Sequence, residues 1–106
     1  MSEQLTLTIQ LRLEPGCMGP NGKQYIEAFC TQQNQQAWQN SFAVLHVIPR
    51  YDKTLPEWEY FLKSKRLNDS QVEAVLTVFN QERQGLEETI EHQIADAVDA
   101  FMRDKY

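Results

Sequence analysis

The stretch LTLTIQLRL, residues 5–13, decides the fold. Its leucine and isoleucine side chains alternate strictly with threonine, glutamine and arginine, which is the period of a β-strand with one buried face. Pro15 and Gly16 follow immediately and interrupt the pattern. We therefore predict an N-terminal strand that ends in a glycine- and proline-rich loop over residues 15–22.

Residues 23–34 are compatible with two structures. Their apolar members form a stripe at helical spacing: Tyr25, Ile26, Phe29 and Cys30. Asn21 is placed to cap such a helix, so the helix is preferred, although the aromatic side chains also suit a strand. Residues 31–40 contain seven Gln or Asn, which predicts a solvated helix end and a loop with Trp38 as its anchor.

Two further strands are predicted downstream. Residues 41–51 are apolar on both alternating faces, as expected of a central strand that is covered on both sides. Residues 57–65 alternate aromatic and charged side chains, which predicts a third strand, antiparallel to the second. Its flanking lysines are typical of a sheet edge. The order of the strands stays open.

Residues 68–104 have the periodicity of helix. Asn68 with Gln71 predicts a capping box at the start, and Ser70 with Glu73 offers an equivalent one. Gly85 predicts either the end of a first helix or a kink in one long helix, and the pattern does not decide between them. The apolar stripes on either side of Gly85 are Val72, Val75, Leu76 and Phe79, then Leu86, Ile90, Ile94, Ala97, Val98 and Phe101.

The predicted fold class is therefore α+β. It consists of a small antiparallel sheet of about three strands, a first helix between strands 1 and 2, and two C-terminal helices packed on one face. With 106 residues, of which 42% are hydrophobic, the chain is expected to be a single domain over 1–106. No segment resembles a secretory signal or a membrane span, which predicts a cytoplasmic protein without membrane contact.

The charge of the chain is distributed unevenly. Its formal net charge is −5, and residues 69–106 carry nine acidic but only three basic side chains. Direct nucleic-acid binding is not expected, because it requires clustered cations. The leading hypothesis is a non-enzymatic protein-interaction or regulatory module. Its contact surface would be either the acidic C-terminal helix or an aromatic sheet edge, and the candidate residues are Glu88, His92, Asp96 and Asp99 on the helix and Trp58 and Tyr60 on the strand.

An alternative hypothesis is a small enzyme or ligand-binding protein with a pocket around His46, Tyr51, Asp52 and Cys17. His46 interrupts an apolar strand, and acid/base groups follow at that strand's end. Cys17 precedes a possible helix N-terminus, where a thiolate would be favoured. No nucleophile elbow or catalytic triad order accompanies these residues.

A metal or cofactor is not expected. Cys17, Cys30 and His46 lack a recognised ligand spacing. Glu88, His92 and Asp96 would spread over ~12 Å along one helix, which suits an exposed charge ladder better than a metal site. The glycines of the loop over residues 15–22 do not form a phosphate-binding fingerprint.

Two expectations concern partners. A DNA-mimic inhibitor is a further alternative, and it requires Glu88, Asp96 and Asp99 on one open surface. A homodimer is also predicted, because a sheet of about three strands with a two-sided apolar strand leaves surface to cover.

Overall fold

The computed structural model describes residues 7–35, 39–40 and 42–103, and the chain divides into two compact units, Met1–Leu67 and Asn68–Tyr106. The predicted anchor Trp38 lies outside the described residues. Within them, the first unit contains a 3-10 helix, Pro15–Met18, and six further elements: β1 (Leu7–Leu13), α1 (Gly22–Gln35), β2 (Gln39–Asn40), β3 (Ala43–Pro49), β4 (Trp58–Leu62) and β5 (Lys65–Arg66). The second unit contains α2 (Asp69–Val78) and α3 (Arg83–Arg103). None of the described helices has the length and apolar character needed to cross a membrane.

The α+β class is confirmed, including the helix between the first two long strands and the two C-terminal helices. The sheet corrects the prediction in detail. It is a mixed sheet of five strands in the order β2-β3-β1-β4-β5, rather than an antiparallel sheet of about three. The central strand is β1, which pairs parallel with β3 and antiparallel with β4. The physical reason is the crossover through α1, which makes β3 run parallel to β1 and leaves the other side of β1 for β4.

Residues 23–34 are helical, so the preferred interpretation of this segment is confirmed. The entry to α1 depends on two glycines. A Cβ atom on Gly22 would lie 1.6 Å from the Pro15 carbonyl oxygen, so the chain closes on itself at this point only without a side chain. Gly19 has a φ of +86°, a conformation that side-chain-bearing residues rarely adopt. The loop glycines are therefore explained by turn geometry.

The sheet has one apolar and one polar face. Leu7, Ile9 and Leu11 of β1 are at most 2% exposed, and their neighbours across the sheet include Tyr60 of β4. Helix α1 contacts β3, and the other side of β3 is exposed at His46. The buried side chains of α1 therefore pack on the apolar face. We call that other side the polar face, and it carries Thr8, Gln10, Arg12, Val44, His46, Ile48, Glu59 and Phe61.

The boundaries of the C-terminal helices follow from local hydrogen bonds. The predicted capping box is present: Asn68 Oδ1 accepts from the Gln71 N–H over 2.8 Å, and Gln71 Oε1 accepts from the Asn68 N–H over 2.9 Å. At the other end Asn80 adopts a φ of +58°, and the Gln81 N–H donates to the Leu76 carbonyl over 2.8 Å. This is a Schellman ending, so α2 and α3 are two helices. Gly85 lies inside α3 and does not mark the break, because Asn80 supplies the left-handed residue instead.

Candidate functional site

A groove of about 700 Å³ lies within the second unit. Both helices line it, together with the connection between them. The spacing of the lining residues along each helix places them on one side of that helix. We call this feature the acidic groove, and its lining residues are Glu73, Leu76, Thr77, Gln81, Glu82, Arg83, Gln84, Glu87, Glu88 and Glu91.

The groove carries a surplus of negative charge, since its lining includes five glutamates and one arginine. Arg83 does not neutralise that surplus. Its Nε donates to Glu87 Oε2 over 3.1 Å, and its Nη1 donates to Asp69 Oδ1 over 3.1 Å. The guanidinium is thus shared between two carboxylates, one of them outside the groove. The potential in the groove consequently favours a cationic ligand.

The groove offers little apolar surface to a ligand. Leu76 is its one aliphatic lining residue and is only 1% exposed. Glu73 on α2 and Glu91 on α3 are both exposed. Charge, rather than burial of apolar side chains, is therefore the basis on which this groove can select a ligand.

The predicted acidic surface is partly gathered at the groove. Glu88, His92, Asp96 and Asp99 are all exposed on α3, but Glu88 alone lines the groove. At ~1.5 Å per residue, Asp99 lies ~16 Å along the helix from Glu88. Glu73 and Glu91 are site residues that the sequence prediction does not include. The signal that could have found them is the excess of acidic residues on both helices, on sides that a short connection brings together.

Of the two residues of the predicted aromatic sheet edge, Tyr60 is not available to a partner. Tyr60 is 1% exposed and belongs to the core, where it faces Ile9. Trp58 lies on the same apolar face and is half-buried. The alternation that suggested a contact surface is instead the inward face of β4, and the end of β4 is further covered by its pairing with β5.

The structure separates His46 from Tyr51 among the residues of the predicted pocket. His46 lies on the polar face, beside Gln10 in register. Tyr51 is directed to the helix side of the sheet, where its hydroxyl donates to Glu27 Oε1 of α1 over 3.0 Å. Asp52 closes a local turn, because its Oδ1 accepts from the Thr54 hydroxyl over 2.6 Å and from the Thr54 N–H over 2.9 Å. These hydrogen bonds lower the pKa of Asp52.

The expectation that a helix N-terminus would favour a Cys17 thiolate is wrong. Cys17 lies within the 3-10 helix, several residues before α1 begins. Although the residue is exposed, partial burial raises the pKa of its thiol, and the carboxylate of Glu14 raises it further. Burial raises the pKa of Cys30 to about 12. Both free cysteines are therefore held as thiols at neutral pH.

A second charged cluster, which the sequence did not indicate, lies on the polar face. The Arg12 guanidinium donates directly to the Glu59 carboxylate, and the two side chains are only 12% and 10% exposed. Arg66 Nε lies 3.1 Å from Glu59 Oε2, and Gln10 donates to Glu59 Oε1 over 3.3 Å. Arg12 also donates to the Pro56 carbonyl over 2.9 Å. The cluster links β1, β4 and β5, and three side chains within the chain contact the Glu59 carboxylate.

The donor sets considered for a metal are dispersed. Among the residues that the structure describes, no group of three or more histidine, cysteine, aspartate and glutamate side chains is arranged to hold a metal ion. Comparisons of the chain with protein-family models, with curated proteins and with solved structures give no match.

Proposed function

We propose that this protein is a cytoplasmic, non-enzymatic interaction module that binds a basic segment of a protein partner in the acidic groove. The observation that supports the proposal is a concave surface of about 700 Å³ lined by five glutamates, whose single arginine is shared with Asp69.

The expected binding is electrostatic in character. An exposed ion pair contributes about 0.2–1 kcal/mol, so affinity must come from several lysine or arginine side chains that engage the groove together. Such pairs are screened over a Debye length of about 8 Å at physiological ionic strength. The complex is therefore expected to form quickly and to weaken as salt is added.

The test is a titration of the protein with a fluorescent lysine-rich peptide, compared with the same peptide carrying glutamate at the lysine positions. The double variant Glu73→Lys, Glu91→Lys reverses one charge on each wall of the groove. We expect it to weaken binding of the lysine-rich peptide by about tenfold or more, since a tenfold loss corresponds to about 1.4 kcal/mol.

The matched control is Asp96→Lys, Asp99→Lys, which makes the same change in net charge on exposed residues of α3 that do not line the groove. This control should bind the lysine-rich peptide within about threefold of the unaltered protein, a difference of less than about 0.7 kcal/mol. An equal loss in both variants would mean that net charge, and not the groove, attracts the peptide.

The DNA-mimic hypothesis uses the exposed ladder of Glu88, Asp96 and Asp99 in place of the groove. The two functions are separated by the same pair of variants. Competition against a DNA-binding protein that is lost in Asp96→Lys, Asp99→Lys but kept in Glu73→Lys, Glu91→Lys would favour the ladder. The opposite pattern would favour the groove.

A further inference from the structure

The connection between β4 and β5 projects a cluster of positive charge. Leu62 pairs with Lys65, so Lys63 and Ser64 form a two-residue hairpin turn. Their φ angles are +52° and +66°, which is the geometry of a type I′ turn. Lys63, Lys65 and Arg66 lie within four residues and are all exposed. We call this feature the cationic hairpin, defined by these three residues.

The hairpin keeps its form although it lacks the glycine that such turns prefer. The left-handed region is unfavourable for residues with a side chain, and here two consecutive residues adopt it. Arg66 anchors the hairpin through its Nε contact of 3.1 Å with Glu59. Lys63 and Lys65 therefore project from a short, defined ribbon rather than from a loose loop.

We propose that the acidic groove of one molecule receives the cationic hairpin of a second copy of this chain. The inference rests on the proposed function and names the partner. Charge complementarity carries it: the hairpin presents Lys63 and Lys65 beside Arg66, which Glu59 holds, and the groove presents five carboxylates with one shared guanidinium. The hairpin and the groove are different surfaces, so the contact is heterologous. Two copies that insert their hairpins reciprocally would instead form a closed, isologous dimer, and a contact that is not returned extends into a chain.

The experiment is sedimentation velocity of the full chain over a concentration series, at low and at high salt. The unaltered protein should self-associate with rising concentration, and salt should reverse the association. Lys63→Glu, Lys65→Glu should abolish it, as should Glu73→Lys, Glu91→Lys. Arg66 is left in place because Glu59 depends on it. Circular dichroism of each variant checks that the fold is kept.

The decisive sample is an equimolar mixture of the two variants. The unchanged hairpin of the groove variant meets the unchanged groove of the hairpin variant, and the two reversed surfaces attract each other as well. We expect association to return in the mixture to at least the level of the unaltered protein. The matched controls are Lys23→Glu, Lys53→Glu for the hairpin and Asp96→Lys, Asp99→Lys for the groove, and both should still self-associate.

A protein that stays monomeric at every concentration would overturn the self-docking, as would a mixture of the two variants that fails to associate. In either case the proposed function would still stand if the lysine-rich peptide binds with the expected dependence on Glu73 and Glu91. Loss of peptide binding together with intact, charge-dependent self-association would instead overturn the basic peptide segment as the ligand class while keeping the hairpin contact.

Discussion

The two units of this chain use charge in opposite ways. The first unit, Met1–Leu67, carries seven basic and six acidic residues, and the second, Asn68–Tyr106, carries three and nine. In the first unit the arginines lie against carboxylates, as Arg12 does with Glu59 and Arg50 with Glu14. In the second unit Arg83 donates to the carboxylates of Glu87 and Asp69, and the acidic groove contains four further glutamates.

This difference separates charge that stabilises the fold from charge that is available to a ligand. A half-buried carboxylate with several donors stabilises its own unit, and its loss removes the ionic partner of those donors. Exposed carboxylates on adjacent helices repel each other, and a cationic ligand relieves that repulsion. We therefore predict that removing such a carboxylate will destabilise the first unit and will change the stability of the second unit little.

The largest expected effect comes from a substitution in the first unit, at the close backbone contact between Gly22 and Pro15. Gly22→Ala places a Cβ atom 1.6 Å from the Pro15 carbonyl oxygen, a distance that forces the backbone of the turn or of α1 to move. We expect a loss of roughly 3 kcal/mol or more in the free energy of unfolding, or failure to fold. Chemical denaturation followed by circular dichroism measures it.

The matched substitution lies in the second unit. Gly85 is helical, and no heavy atom of its surroundings lies within 4 Å of the place that an alanine Cβ would occupy. Gly85→Ala should raise the free energy of unfolding by about 0.5–1 kcal/mol, because alanine favours helix over glycine. An equal change in the free energy of unfolding in the two variants would contradict the close approach at Gly22.

The sequence predicts what depends on local pattern. The alternation of β1, the capping box at Asn68 and the stripe of α1 each follow from neighbouring residues, and the structure has all three. The pairing of β4 with β1 depends instead on where the α1 crossover leaves a free strand, and no residue of β4 encodes that. For the same reason the sequence pattern assigns Tyr60 to a surface although it lies in the core.

The candidate site is predictable only in its charge. The acidic excess after residue 68 is visible in the sequence, and Glu88 is among the predicted residues. The groove itself requires the turn at Asn80, which sets how the two helices face each other. The sequence pattern offers Gly85 as the break or kink, because glycine is the usual left-handed residue, and therefore does not pair Glu73 with Glu91.

The second prediction compares two carboxylates directly. Glu59→Gln removes the negative charge that Arg12 and Arg66 share, and we expect a loss of about 1–3 kcal/mol in the free energy of unfolding. Glu91→Gln removes a charge from the exposed wall of the acidic groove and should change the free energy of unfolding by less than about 0.5 kcal/mol. Denaturant titrations of both variants at one salt concentration decide the comparison, and a larger loss for Glu91→Gln would contradict it.

The smallest expected effect depends on pH. The Thr54 hydroxyl and the Thr54 N–H hold the pKa of Asp52 below the ordinary value of an aspartate. A carboxyl group whose pKa is lower in the folded state contributes stability above its unfolded pKa and loses it as pH falls through the folded pKa. Asp52 should therefore help to stabilise the first unit at neutral pH, and that contribution should fade below about pH 4.

Asp52→Asn is expected to lower the midpoint of thermal unfolding slightly at pH 7, and the difference should shrink as the pH falls through the folded pKa of Asp52, because the carboxyl is then protonated in both states. Thr54→Val removes the hydroxyl donor but keeps the N–H donor. Its midpoint of thermal unfolding at neutral pH should therefore lie between those of Asp52→Asn and the unaltered protein. The midpoints measured across that range test the hydrogen bonds of this exposed turn, together with the attraction of Arg12, which also lowers the pKa of Asp52. A difference that persists unchanged at the acidic end of that range would show that the asparagine alters the turn itself and that the carboxylate charge is not its stabilising feature.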